Sequence, residues 1–243
     1  MSIDIVIPMA GLGSRFANAG FDKPKPFIDV LGRPMIAHVL DNLALPGARF
    51  ILIARREHFQ TFPQEFDRVA AGRPVTWIFL DATTPGAACT VLAAHRLLGD
   101  TPLLIANSDQ LVDIPMRDFV ADAQSRQLDG SILTFPSDSP AFSFARCDAD
   151  GLVRECREKV PISQQATVGI YYWAKGRNFV DSAMDMIVAN DKVNNEFYTC
   201  PVYNYAIATG ARIGIYEIPA TAMHCTGTPA DLEKYVAFLK SRQ

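Results

Sequence analysis

The sequence predicts one α/β domain, a mixed and mostly parallel sheet flanked by helices, and three observations carry that expectation. Short apolar runs (IVI at 5–7, FILIA at 50–54, TWIFL at 76–80, LLIA at 103–106) alternate with longer segments at helical spacing, as strands joined by helical crossovers do. The chain has 243 residues, 49% hydrophobic and 20% charged, enough for one well-packed domain and short for two. Loops bearing glycine or an acid follow the apolar runs, at the strand ends where folds of this class place their chemistry.

Bulk properties narrow the function classes. A net charge of -3 argues against a nucleic-acid binder, which shows a basic excess. No apolar run approaches the length of a membrane span, and no basic segment followed by an apolar one opens the chain, so neither a membrane location nor secretion is expected. Five cysteines without a C-x-x-C pair read as free thiols in a reducing cytoplasm. Whether the chain forms a homo-oligomer is left open.

The first strand, Ile5 to Ile7, opens into a loop carrying Gly11, Gly13 and Arg15. Glycines let backbone N–H groups approach an anion, and a guanidinium adds charge and bidentate geometry. Lys23 and Lys25 follow in a KPKP segment whose prolines stiffen the backbone and fix where the ammonium groups point. The ligand these features suggest is a polyphosphate. The G-x-x-x-x-G-K-[ST] cradle is absent, and G-x-G-x-x-G fails because Phe16 stands where its third glycine belongs.

Pro34 can serve as a first helical residue, with Ile36, Val39, Leu40 and Leu43 following at helical spacing. Between the strands at 50–54 and 76–80, residues 58–71 read as a helix with Phe59, Phe62 and Phe66 near one face, packing on the core. Gly86, Ala87 and Ala88 start a helix that continues through Val91, Leu92 and Leu97. The strand at 103–106 releases Asn107, Ser108 and Asp109 at its end, where a carboxylate suits Mg²⁺, a hard ion that takes one or two carboxylates plus phosphate oxygens. Asp113 reads as a surface or capping residue.

Beyond this point come a strand at 130–136 and a hairpin turning at Asp148, Ala149, Asp150 and Gly151. Cys147 and Cys156 flank that turn as ordinary strand residues. A strand at 166–174, a helix from Gly176 to about Asp191, a strand over ARIGIYEIP and a terminal helix complete the chain.

AGLGSRF and KPKPFIDVLGRPMI resemble the signature of the sugar-phosphate nucleotidylyltransferases: A-G-x-G-[ST]-R-[LF], then a lysine in a K-P-K context and G-x-P-M-I. The similarity continues at Glu158 and Lys159 (the E-K motif), at VGIYY around Gly169, and at GTPADL near the end. It implies a compact, Rossmann-like, GT-A-type nucleotide-diphospho-sugar transferase fold over 1–243, with a nucleotide-binding half (1–115) and an acceptor-binding half (116–243). It also implies transfer of a nucleoside monophosphate from a nucleoside triphosphate to a sugar 1-phosphate, with release of pyrophosphate. Capsule or lipopolysaccharide synthesis is the setting associated with such compact enzymes.

The resemblance assigns roles residue by residue. Ala10, Gly11, Leu12, Gly13, Ser14, Arg15, Lys25, Pro85, Gly86, Ala87, Asn107 and Ser108 would bind the nucleotide. Arg15 and Lys25 would neutralise the phosphates, Asp109 would hold Mg²⁺, and Lys159 would contact the acceptor phosphate. Glu158, Gly169 and Glu196 would complete the acceptor site. Two places depart from the pattern: after Glu196 the family's T-D is replaced by Thr199 and Cys200, and Cys225 stands where the family has a second metal-binding aspartate. A thiol is a poor Mg²⁺ ligand, which leaves one aspartate holding the ion with phosphates and waters, another carboxylate swinging in, or a lost site. Alternatives to the main reading are a cytidylyltransferase acting on a phosphocholine-like monoester, a GT-A-type glycosyltransferase, and a non-catalytic nucleotide-binding domain.

Overall fold

The structure is a computed structural model and describes residues 2–242. The first part of the chain forms β1 (Ile3–Pro8), α1 (Ser14–Asn18), β2 (Asp29–Val30), β3 (Arg33–Pro34), α2 (Met35–Asn42), β4 (Ala48–Arg55), α3 (Arg56–Thr61), α4 (Pro63–Ala70), β5 (Val75–Leu80), α5 (Ala87–Leu92) and β6 (Leu103–Ala106). The remainder forms β7 (Gln110–Val112), α6 (Met116–Ser125), β8 (Gly130–Pro136), β9 (Ser143–Cys147), β10 (Val153–Glu158), β11 (Gln165–Trp173), α7 (Gly176–Val188), α8 (Val202–Ala208), β12 (Ile213–Glu217), β13 (Met223–Cys225) and α9 (Pro229–Lys240).

A nine-stranded sheet runs through both parts in the order β10-β9-β11-β6-β1-β4-β5, with β8 joining β11 to β12. The strands β6, β1, β4 and β5 are mutually parallel. Antiparallel pairing enters with β11, which lies between β6 and β8, and continues in the β9–β10 hairpin. This is the mixed α/β sheet flanked by helices that the alternating pattern predicts.

Helices cover both sheet faces, which is why the stretches 5–7 of β1 and Leu103–Ala106 of β6 are apolar at every position and not at alternate ones. Ile5 and Ile7 pack into the core on one face, and Val6 packs into the other, following the two-residue side-chain period.

Three local expectations need correcting. The predicted helix over 58–71 is two helices, α3 and α4, broken at Phe62 (φ -129, ψ 51), because Pro63 pushes the residue before it out of helical conformation. Of its three aromatics only Phe66 is buried, its ring 4.6 Å from Trp77 and 4.9 Å from Phe27, while Phe59 is 41% exposed and Phe62 half-buried. Pro34 is extended (ψ 140) and caps α2 from outside. The helix begun at Ala87 ends at Leu92, and Leu97 belongs to a separate 3₁₀ turn. The hairpin turn is built as predicted: the Asp148 carboxylate accepts the N–H groups of Asp150 (2.9 Å) and Leu152 (3.0 Å), and Gly151 takes φ +73. All five cysteines are free.

Candidate active site

At the end of β1 the Met9 N–H donates to the Ile53 carbonyl (2.9 Å), after which the chain leaves the sheet as a loop into α1. Gly13, at φ +61, caps α1. A Cβ there would lie 3.2 Å from that of Lys25, so the glycine lets Lys25 pack against the loop. Phe16 is buried edge-on against Phe21 and anchors α1. Arg15 is exposed and makes no hydrogen bond or ion pair to another described residue.

The two lysines of the KPKP segment diverge. Lys23 pairs with Glu65 on α4 at 2.6 Å, which ties the segment to the scaffold. Lys25 turns inward and its ammonium pairs with the Asp109 carboxylate. Together Gly13, Ser14, Arg15, Phe16, Lys25 and Gly227 line a cleft of about 240 Å³.

Asp109 is fixed by the turn between β6 and β7, which also holds Asn107 and Ser108. The Asn107 N–H donates to the Gly169 carbonyl (3.0 Å), and its amide donates to Gln110 Oε1 (2.7 Å). The Asp109 carbonyl accepts from both the N–H (2.8 Å) and the hydroxyl (3.0 Å) of buried Thr226. Pairing of β13 with β7 brings Cys225 opposite Gln110. A Cβ on Gly227 would lie 3.0 Å from Asp109 Oδ2 and 3.2 Å from Cys225 Sγ, so carboxylate and thiol face one point. Burial, then the Asp109 charge, push the Cys225 thiol up to about 11; it is a neutral S–H group near pH 7. Asp113 instead receives Arg242 at 2.9 Å.

A larger cleft of about 430 Å³ lies between the loop residues Ala10, Gly11, Leu12, Gly13 and Ser14 and the opposing Thr83, Thr84, Gly86 and Ala87. The opposing segment is clamped at the backbone: the Phe197 N–H donates to the Pro85 carbonyl (2.8 Å) and the Ala88 N–H to the Phe197 carbonyl (3.0 Å). Gly86 sits at φ +118, and a Cβ there would strike the Phe197 backbone. Glu196, next to the clamp, lines this cleft and not the neighbouring pocket.

That neighbouring pocket, about 140 Å³, adjoins the cleft at Ala87 and is lined by Asn107, Gln110, Ser143, Glu158, Thr167, Gly169, Tyr171, Tyr198 and Thr199 among others. Gly169, at φ +91, lets β11 pass against the Asn107 and Gln110 side chains. Glu158 is buried and accepts the Ser143 hydroxyl; burial raises its pKa, and the hydroxyl offsets part of the rise. Lys159, at φ +58, donates its ammonium to the Tyr198 hydroxyl at 2.9 Å. The Thr199 hydroxyl is buried without a partner, a group that a ligand can satisfy.

Arg15, Lys25 and Asp109 therefore meet around Gly13 and Gly227, with Glu158 in the pocket beyond Ala87, while Lys159 does not line that pocket itself and reaches it only through Tyr198. Sequence reasoning gave no site role to Tyr198, Thr199, Thr226 or Gly227. Gly227 opens the string GTPADL, with Thr226 just before it, which was the available signal. No group of three or more His, Cys, Asp or Glu that would cage a metal occurs among the described residues. One carboxylate beside a phosphate-sized cleft does fit Mg²⁺, which keeps several waters and takes oxygens from substrate phosphates.

Relatives share this arrangement of chain. Residues 5–200 match the family model described as Nucleotidyl transferase. The chain is 26% identical over 172 residues to the mannose-1-phosphate guanylyltransferase catalytic subunit beta of Drosophila pseudoobscura pseudoobscura, covering 68% of this chain and 46% of the relative. The chain thus spans about half the length of the curated relatives it matches. The fold superposes on a nucleoside-diphosphate-sugar pyrophosphorylase from Vibrio cholerae RC9 with a TM-score of 0.81 at 23% identity, covering 96% of this chain and 99% of that one. A UDP-glucose pyrophosphorylase solved with UDP-glucose gives 0.78 at 16% identity, with both chains fully covered. No helix among the described residues is long and apolar enough to cross a membrane. By the family model that spans most of its length, the chain belongs to the nucleotidyl transferase family.

Proposed function

We propose that the protein transfers a nucleoside monophosphate from a nucleoside triphosphate to a sugar 1-phosphate, releasing pyrophosphate. The observation that carries this reading is the meeting of Lys25 and Asp109 beside the Gly13 loop, next to a pocket of hydroxyls, amides and one buried acid. An acceptor phosphate oxygen attacks the α-phosphorus, a new P–O bond forms, and the bond to the β-phosphate oxygen breaks as pyrophosphate leaves. The monoester is already anionic near neutral pH and needs no strong base, so positioning and charge neutralisation supply the rate.

In this reading Arg15 meets the triphosphate and the departing pyrophosphate, and Lys25 meets the reacting phosphates. Asp109 would hold Mg²⁺, which supplies further neutralisation of phosphate oxygens when bound. Gly11 to Ser14 and Pro85 to Ala87 frame the nucleoside, and Lys159 meets the acceptor phosphate. The acceptor pocket offers Glu158, Ser143, Thr167, Tyr171 and the unpartnered Thr199 hydroxyl, a polar lining suited to a polyol. Because Glu196 lines the larger cleft, this reading gives it to the nucleotide instead of the acceptor. We place the enzyme in the cytoplasm on its free thiols, with its product consumed by glycosyl transfer into capsule or lipopolysaccharide.

The test is pyrophosphate release over a matrix of triphosphates and phosphomonoesters, with mannose 1-phosphate, glucose 1-phosphate and phosphocholine as separate arms. Release that needs both a triphosphate and a sugar 1-phosphate is expected. Release with phosphocholine alone would replace the acceptor class, and triphosphate binding without release under any arm would favour a non-catalytic domain.

A further inference from the structure

Lys159 sits on four flexible side-chain bonds at the end of β10, and two features of the structure hold it. Its backbone is in the left-handed region (φ +58), where a lysine is rarely found, with its N–H donating to the Phe142 carbonyl at 3.0 Å. Its ammonium donates to the Tyr198 hydroxyl at 2.9 Å and lies 5.0 Å from the centre of the same ring. The Glu196 charge acts on both groups.

Tyr198 is itself well placed. It lines the acceptor pocket, and its neighbour Phe197 is clamped by two backbone hydrogen bonds to Pro85 and Ala88, the segment that lines the larger cleft. The ammonium is therefore held on a side chain that lines the pocket, one hydroxyl away from the space an acceptor phosphate would enter. A lysine ammonium is a mobile point charge, and its value at a reacting phosphate depends on being held in place beforehand.

We propose that Tyr198 is the positioning residue for Lys159: its hydroxyl and ring aim the ammonium at the acceptor phosphate. This rests on the reading of Lys159 as the acceptor-phosphate lysine. Removing the hydroxyl leaves the ring and the packing, so Tyr198→Phe separates positioning from folding.

The experiment is a double-mutant cycle of Tyr198→Phe and Lys159→Ala, with KM for mannose 1-phosphate or glucose 1-phosphate and for the triphosphate measured in each. Tyr198→Phe is expected to raise the sugar-phosphate KM about tenfold, the size of one hydrogen bond to a charged group, while the triphosphate KM stays unchanged. In the Lys159→Ala background the same change should have no further effect. Multiplying effects in the double variant, or equal rises in both KM values, would overturn the proposal. A Lys159→Ala variant with wild-type KM would instead sink the acceptor-lysine reading beneath it. A substrate-free check uses the Lys159 ammonium signal in nitrogen-15 NMR, identified by its loss in Lys159→Ala. It should be sharp in the wild type and broadened in Tyr198→Phe, and equal line widths would contradict the contact.

Discussion

The Lys25 ammonium closes on the Asp109 carboxylate and joins the KPKP segment to the turn after β6 across 84 residues of sequence. Both side chains are mostly buried, 18% and 17% exposed, so each is the other's main electrostatic partner. Removing either leaves the survivor with an unpaired charge at about 1–3 kcal/mol. Asp109→Ala and Lys25→Ala should each lower pyrophosphate release by about a hundredfold or more, with a melting temperature reduced by a few degrees and the fold intact by circular dichroism. Wild-type turnover in Asp109→Ala would remove the metal assignment.

Arg15 behaves differently because it holds nothing in the protein. Arg15→Ala should leave unfolding free energy within about 0.5 kcal/mol of the wild type, yet weaken triphosphate binding by about tenfold or more. Arg15→Lys keeps the charge and loses the bidentate fork, so its affinity should fall between the two. Isothermal titration with a non-hydrolysable triphosphate and a urea melt together check the claim.

Glu158 gives a pH signature. Burial raises its pKa above the ordinary 4.5, against the opposing Ser143 hydrogen bond. The folded state then binds this proton more tightly than the unfolded chain does. Its contribution is fully present below pH 4.5 and is lost as pH rises through the raised value. Glu158→Gln stays neutral throughout, so its melting temperature relative to the wild type should climb between pH 4 and pH 8. A flat difference over that range would show that the acid is not penalised by burial.

Gly86 and Gly11 make a matched pair. At Gly86 an alanine meets both φ +118 and the Phe197 backbone, so Gly86→Ala should cost at least about 2 kcal/mol and disturb the clamp that carries Tyr198. At Gly11 a Cβ meets nothing within 4 Å, so Gly11→Ala should fold normally. Urea denaturation of the two variants distinguishes them directly.

Much of the sheet was legible because each strand is a local object. Ile5 to Ile7 and Leu103 to Ala106 are apolar at every position, and the Asp148 turn carries its own hydrogen-bond chemistry. The break at Phe62 was hidden because the aromatic period runs through Pro63, and the proline effect on its predecessor outweighs it. The site was legible in its parts and not in its joints. Lys25 meets Asp109 only because β6 pairs with β1 and the KPKP segment folds back on the Gly13 loop. Lys159 meets Tyr198 across 39 residues, through β11 and α7, which no local pattern encodes. The placement of Glu196 likewise depends on the Phe197 clamp.

The most direct measurement follows two labels, one at the α-phosphorus and one at the γ-phosphorus of the triphosphate, through a single turnover with a sugar 1-phosphate. The account predicts the α label in a nucleotide-sugar conjugate and the γ label in pyrophosphate, with both transfers abolished in Asp109→Ala. A γ label appearing as inorganic phosphate, or an α label that never joins the sugar, would contradict it.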